Sequence, residues 1–130
     1  WWFDMQKYKG ATIDTAPKLI PRSEWEYRLL IRLPDFVSKN DVDEAKEIAF
    51  AKKGTPLINE VHYFVMNEGK CVQMLHVGSY DNEPVSLKIM DAFMKEHNFD
   101  KAGHHHEIYL SDFRKVAPEK LRTILREPVK

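Results

Sequence analysis

The sequence predicts an α+β domain with a mainly antiparallel sheet. Three observations carry that class. Short period-two runs alternate with runs of helical spacing. Two strand-like runs, EVHYFVM at 60–66 and CVQMLHV at 71–77, are joined by Asn67-Glu68-Gly69-Lys70, which suits a hairpin turn and is too short for a parallel crossover. No glycine-rich phosphate loop follows any strand, which argues against a parallel dinucleotide fold.

Taken in order, residues 5–22 are polar, contain Gly10, Pro17 and Pro21, and read as a long loop. SEWEYRLLIRL at 23–33 stops at Pro34. Trp25, Tyr27, Leu29 and Ile31 alternate on one face, so a strand is expected. Ser38-x-x-Asp41 resembles a capping box with Asp in place of Glu. Val42, Ala45, Ile48 and Ala49 then keep helical spacing until Gly54 and Pro56 end the helix. Gly78-Ser79-Tyr80-Asp81 breaks the strand at 71–77. Asp81 or Asn82 is expected to cap the next helix, with Pro84 in its first turn. Val85, Ile89, Met90, Phe93, Met94 and His97 form its expected inward stripe. Residues 105–110 and 120–127 read as two further strands. The expected order is strand, helix, strand, strand, helix, strand, strand.

Composition narrows the function classes. The 130 residues suffice for one domain with its own core. Twenty basic residues balance twenty acidic ones, so no general field draws the chain to nucleic acid or anionic lipid. No helix-turn-helix segment or basic stripe is evident. No apolar run approaches the roughly 20 residues of a membrane span. Cys71 is the single cysteine, which excludes an internal disulfide and fits a cytoplasmic setting. The start, Trp1-Trp2-Phe3-Asp4, has no signal-peptide pattern and reads as a chain beginning inside a structural element.

The run Gly103-His104-His105-His106-Glu107-Ile108-Tyr109 invites a metal reading. Strand geometry opposes it. Successive side chains point to opposite faces, so three adjacent histidines cannot converge on one ion. A metal would need His105 and Glu107 plus distant partners such as His62, His76 or His97, and no HExxH or paired-cysteine spacing supplies them. No metal or other cofactor is expected. By face, His106, Ile108 and Leu110 form one side, expected to meet a helix; His105, Glu107 and Tyr109 form the other. On this strand alone a solvated Glu107 is the plainer reading. The aromatic residues Trp1, Trp2, Trp25, Tyr27, Tyr63 and Tyr80, on or beside expected strands, shift the balance. An aromatic cleft with one carboxylate suits flat apolar or cationic ligands. Burial is expected to raise the Glu107 pKa and improve it as a base.

The segments "HHEIYLSDFRKVAPEKLRTILREPV", "IRLPDFV" and "CVQMLHVGSYDNEPVSLKIMDAFMKEHNF", with the Trp1-Trp2 start, resemble the GyrI-like small-molecule-binding proteins, relatives of multidrug-sensing effector domains. Phe113 departs from that pattern, which commonly has Pro after Ser-Asp. The resemblance implies a fold of duplicated strand–helix–strand–strand modules around a ligand cleft. Residues 71–130 would be the second module, 1–33 a remnant of an incomplete first module, and 34–70 a connecting helix and extra strand, all in one domain spanning 1–130.

It also implies that Glu107 faces the ligand beside Tyr109, with Trp1, Trp2, Trp25 and Tyr27 as stacking candidates. Two functions follow from the resemblance and stay open. One is binding of flat hydrophobic or cationic xenobiotic-like molecules. The alternative is a detoxifying hydrolase that opens the cyclopropane ring of cyclopropylpyrroloindole toxins, with catalytic Glu107 activating water and Tyr109 assisting. The expected partner is a small molecule, not nucleic acid or membrane. An exposed half-sheet edge would favour a homodimer.

Overall fold

The computed structural model describes residues 1–11 and 15–130; positions 12–14 of the loop expected at 5–22 lie outside the described residues. The chain divides into two compact units. One joins Trp1–Arg28 to Glu68–Lys130, and the other is Leu29–Asn67.

The first unit is built on three antiparallel strands: β1 (Cys71–Val77), β2 (His106–Tyr109) and β3 (Arg122–Pro128), in the order β1-β3-β2. The last strand in sequence is therefore central, and pairs along its whole length with β1, from Cys71↔Pro128 to Val77↔Arg122. Its other side takes β2, with Glu107 opposite Leu125 and Tyr109 opposite Thr123. Period-two burial follows from this position. Thr123, Leu125 and Glu127 are buried on one face of β3.

A helix of the same unit, Glu83–Glu96, covers that face. Its buried residues are Ser86, Met90 and Met94. Ser86 Oγ lies 2.9 Å from Nδ1 of buried His76, while His76 Nε2–H donates to the Ser79 carbonyl at 3.0 Å. The expected inward stripe is thus right at two of its six positions. Met90 and Met94 are inside, but Val85, Ile89 and Phe93 are exposed, because the helix rolls Ser86 onto His76. His97 sits at the helix C-cap, stacked on Phe93 at 4.0 Å. Neither Asp81 nor Asn82 caps this helix by its side chain. Ser79 accepts from the Asp81 amide and shapes the turn before it. Gly78 has φ +135°, a backbone region closed to ordinary side chains, and its amide donates to the Leu121 carbonyl.

Two expected strands are corrected. Over 23–33 there is a 3₁₀ turn at Arg22–Glu24 and one isolated antiparallel bridge, Trp2↔Glu26, with N–H···O distances of 2.9 and 2.8 Å. The expected hairpin of 60–66 with 71–77 does not form. Residues 61–67 are irregular, and β1 takes β3 as its partner. Period two marks what a strand would bury, but backbone ladders also need a neighbour. The loop expected at 5–22 contains a single helical turn, Ala16–Leu19, that helps to bury Ala16 and Ile20.

The second unit holds the helix Lys39–Lys53. Ser38 Oγ accepts from the Asp41 amide, and Asp41 Oδ2 accepts from the Ser38 amide at 2.7 Å, so Asp completes the capping box. Gly54 ends it at φ +64°, its amide bonded to the Phe50 carbonyl. In chain order the three helices are α1 (Ala16–Leu19), α2 (Lys39–Lys53) and α3 (Glu83–Glu96). Among the described residues no helix is long and apolar enough to cross a membrane.

Candidate functional site

The β1-β3 and β3-β2 registers set three residues in a row across the sheet: His76, Thr123 and Tyr109. The next row is Met74, Leu125 and Glu107. Because α3 is tied to this face through Ser86 and His76, Glu107 and Tyr109 lie on the helix-covered face. The expectation from Ile108 and Leu110 is therefore reversed. Leu110 is half exposed, whereas the Glu107 side chain keeps 14% of its exposure. A buried carboxylate overrides the apolar-inside rule here because it has partners.

Those partners are specific. The Tyr109 hydroxyl donates to Glu107 Oε2, and Tyr109 Oη accepts from Trp1 Nε1 at 3.4 Å. His105 Nε2 lies 3.7 Å from Glu107 Oε1, an ion-pair distance. His105 Nδ1 donates to Glu127 Oε1 at 3.0 Å, and Lys101 Nζ reaches the same oxygen at 3.3 Å. Glu127, on the central strand, is 1% exposed, with Oε2 buried and unbonded. Glu83, the first residue of α3, also has a buried oxygen, Oε1, without a hydrogen bond.

The electrostatics divide these groups. Burial pushes Glu107 up, but the neighbouring His105 imidazolium and the hydrogen bond from Tyr109 outweigh it and hold the carboxyl below its ordinary value. The expected rise does not occur at Glu107. It occurs at Glu83, which burial, followed by the nearby Glu107 charge, pushes up to about 7. Burial opposes charge on His105, yet its contacts with Glu107 and Glu127 raise it to about 9. Burial also pushes Glu127 up, but His105 and Lys101 hold it below the usual range. Tyr109 is raised by burial and by donation to Glu107.

Of the four aromatic candidates, Trp1 touches Tyr109, and Tyr27 packs on Trp1 with ring centroids 4.7 Å apart. The Arg22 guanidinium lies 4.3 Å over the Trp1 ring. Tyr80 meets Tyr109 edge to face at 5.8 Å. Trp2 lies by His104, at 5.1 Å, and donates to Glu26 Oε2. Trp25 packs on Phe3 and donates to the Ile20 carbonyl. Sequence reasoning missed Glu83 and Glu127. Glu127 carried a signal, since it shares a face with Thr123 and Leu125. Glu83 carried none, because an acid in a first helical turn is ordinary.

Among the described residues no group of three His, Cys, Asp or Glu side chains is arranged to hold a metal. A separate apolar groove of about 410 Å³ lies between β1 and α3, lined by Cys71, Met74, Ile89 and Phe93 with Phe99. It holds no carboxylate.

The arrangement is a half-open aromatic patch backed by one ionised carboxylate, a phenol and one carboxyl that titrates near neutrality. Residues 37–130 match the GyrI-like small molecule binding domain. No curated protein sequence matches the chain. A crystal structure of a hydrolase from Listeria innocua is 42% identical with a TM-score of 0.70, covering 76% of this chain and 52% of that one. An uncharacterized conserved protein from the same organism is 44% identical with a TM-score of 0.71, covering 76% and 50%. The chain thus spans about half the length of the solved structures it matches. With β1, α3, β2 and β3 following one another as strand, helix, strand and strand in an α+β fold, the chain belongs to the GyrI-like small molecule binding domain family.

Proposed function

We propose that the chain binds flat hydrophobic or cationic, xenobiotic-like small molecules over Trp1 and Tyr27, against the Glu107–Tyr109 pair. The observation that carries this reading is Arg22. Its guanidinium, itself a planar cation, rests 4.3 Å over Trp1, within reach of the ring quadrupole. Glu107, kept ionised by His105, supplies the balancing charge. Tyr27 and Tyr109 are each about half exposed, so the patch is open to a ligand.

A second reading is favoured by the hydrogen bond from Tyr109 to Glu107 and by the similar hydrolase structure. In it, a cyclopropylpyrroloindole toxin held on the same aromatic rings is opened by water. Glu107 takes the water proton, and Tyr109 positions the carboxylate. One set of samples tests both readings. Tryptophan quenching by ethidium should saturate, and Glu107→Gln should weaken it about tenfold. Mass spectrometry of a cyclopropylpyrroloindole incubation should show one added water. Quenching that does not saturate, or is unchanged in Glu107→Gln, sinks the binding reading; no added water sinks the hydrolase.

A further inference from the structure

Ring opening by water needs a proton at two places. The attacking water must lose one, and the oxygen that receives the electrons of the broken ring bond must gain one. The groups of the site divide unequally between these tasks. Glu107 is ionised and accepts from Tyr109, so it can take a proton and has none to give. The Tyr109 proton is committed to Glu107, and its oxygen already accepts from Trp1. His105 Nδ1 is held by Glu127 at 3.0 Å, and its buried Nε2, without a hydrogen bond, lies 3.7 Å from Glu107 Oε1, on the side of the base. Lys101 is spent on Glu127, at the far side of His105.

Glu83 remains. It starts α3 on the covered face of the sheet, one helical turn before Ser86, which is anchored to His76. His76 lies in the same cross-sheet row as Tyr109. Tyr80, three residues before Glu83, packs on the Tyr109 ring. Glu83 therefore stands at the end of α3 that borders the Glu107–Tyr109 pair, and its buried Oε1 has no partner. The ionisable groups around it are Glu107 and Tyr109 from β2, His105 just before β2, and Tyr80 from the preceding turn. Glu107 and Glu127 are balanced by His105 and Lys101, which leaves Glu83 as the surplus carboxyl of the cluster.

We propose that Glu83 is the proton donor of the ring-opening reaction, handing its proton to the oxygen on which negative charge develops. This rests on the hydrolase reading above. In the step, the water oxygen bonds to the cyclopropane methylene carbon while Glu107 takes the water proton. The strained carbon–carbon bond breaks, and its electron pair passes through the conjugated ring to the carbonyl oxygen. That oxygen takes the Glu83 proton and becomes a phenol. The sum is addition of one water. Proton return from Glu107 to Glu83 restores the starting state. Two carboxyls whose surroundings push their proton affinities apart thus divide acid and base work.

The test follows water addition to a cyclopropylpyrroloindole by mass spectrometry from pH 5 to 9, for wild type, Glu83→Gln, Glu83→Asp and Glu107→Gln. Wild-type kcat/KM should fall about tenfold per pH unit above about 7, as the donor is lost. Glu83→Gln should lower the rate about 100-fold and abolish that limb, while Glu83→Asp restores rate and limb in part. A Glu83→Gln protein with the wild-type rate and an intact limb overturns the proposal. If Glu107→Gln is then inactive, the hydrolase reading survives without Glu83. A wild type that adds no water at any pH overturns both.

Discussion

His105 and His106 are neighbours at the start of β2, and each meets a glutamate, yet they stand in different chemistry. His106 Nε2 lies 2.6 Å from Glu68 Oε2, and the other Glu68 oxygen takes Arg126 Nη1 at 2.7 Å. Arg126 also donates twice to Gln73. On that side every strong group is matched, and the Glu68 side chain is 28% exposed. On the helix-covered side, His105 serves Glu107 and Glu127, while oxygens of Glu83 and Glu127 stay buried and unbonded. Residue types one position apart thus give a saturated network where water is near and an unsaturated one under α3. The difference teaches that reactivity here comes from incomplete pairing in a dry place, not from the presence of histidine and glutamate.

The sharpest way to break the comparison is at Glu127. Replacing it with Ala leaves His105 buried with one carboxylate fewer and Lys101 without its partner. Removing one member of a buried ion pair costs about 3–5 kcal/mol. Glu127→Ala should lower unfolding stability by that amount in urea titrations. A loss below about 1 kcal/mol would mean that the two sides of the sheet are energetically alike.

pH separates the sides next. Glu83 is raised from 4.5 to about 7, so its contribution is full below pH 4.5 and is lost as pH rises through 7. His105, raised from 6.5 to about 9, contributes fully below pH 6.5 and loses that contribution as pH rises through 9. Glu107 and Glu127 are lowered, so their contributions are present above the ordinary carboxylate range and lost in acid. Stability should peak near pH 4.5, fall towards pH 7 as Glu83 ionises, and fall again from about pH 6.5 to 9 as His105 loses its proton. His105, the more buried of the two, accounts for roughly 3 kcal/mol of the decline, from about 1.4 kcal/mol per pKa unit, and Glu83, partly screened by water, for less. Urea midpoints across pH should show this, and Glu83→Gln should remove the part between pH 4.5 and 7. A flat profile would place both groups in water.

Local signals made much of the fold legible. The predicted strand at 71–77 is β1 residue for residue, and α2 begins at the predicted cap. β2 and β3 lie within two residues of expectation. What failed was non-local. The patterns over 23–33 and 60–66 alternate well, yet no ladder forms along them, and Leu29, Ile31 and Val65 stay exposed. The site was legible in part. Alternation along the expected strand at 105–110 placed His105, Glu107 and Tyr109 together, and of the aromatic candidates Trp1, Trp2, Trp25 and Tyr27, Trp1 and Tyr27 join them. The side that α3 covers was misread from Ile108 and Leu110, because a carboxylate gathered with an imidazolium from its own strand can be buried. Glu83 is set by where α3 lands, which no local pattern encodes.

The smallest effect sharpens the comparison from the other side. Glu68→Ala removes the partner of both His106 and Arg126. Arg126 keeps its two bonds to Gln73 and its side chain is 23% exposed, so water can solvate what is released. The expected cost is about 1 kcal/mol, the upper end of the exposed ion-pair range. Ligand quenching should be unchanged, since Glu68 lies on the face opposite Glu107. Urea titration measures the first expectation and ethidium quenching the second. A loss near that of Glu127→Ala would show that the His106 side is as dry as the His105 side, and a change in quenching would show that the ligand reaches both faces of the sheet.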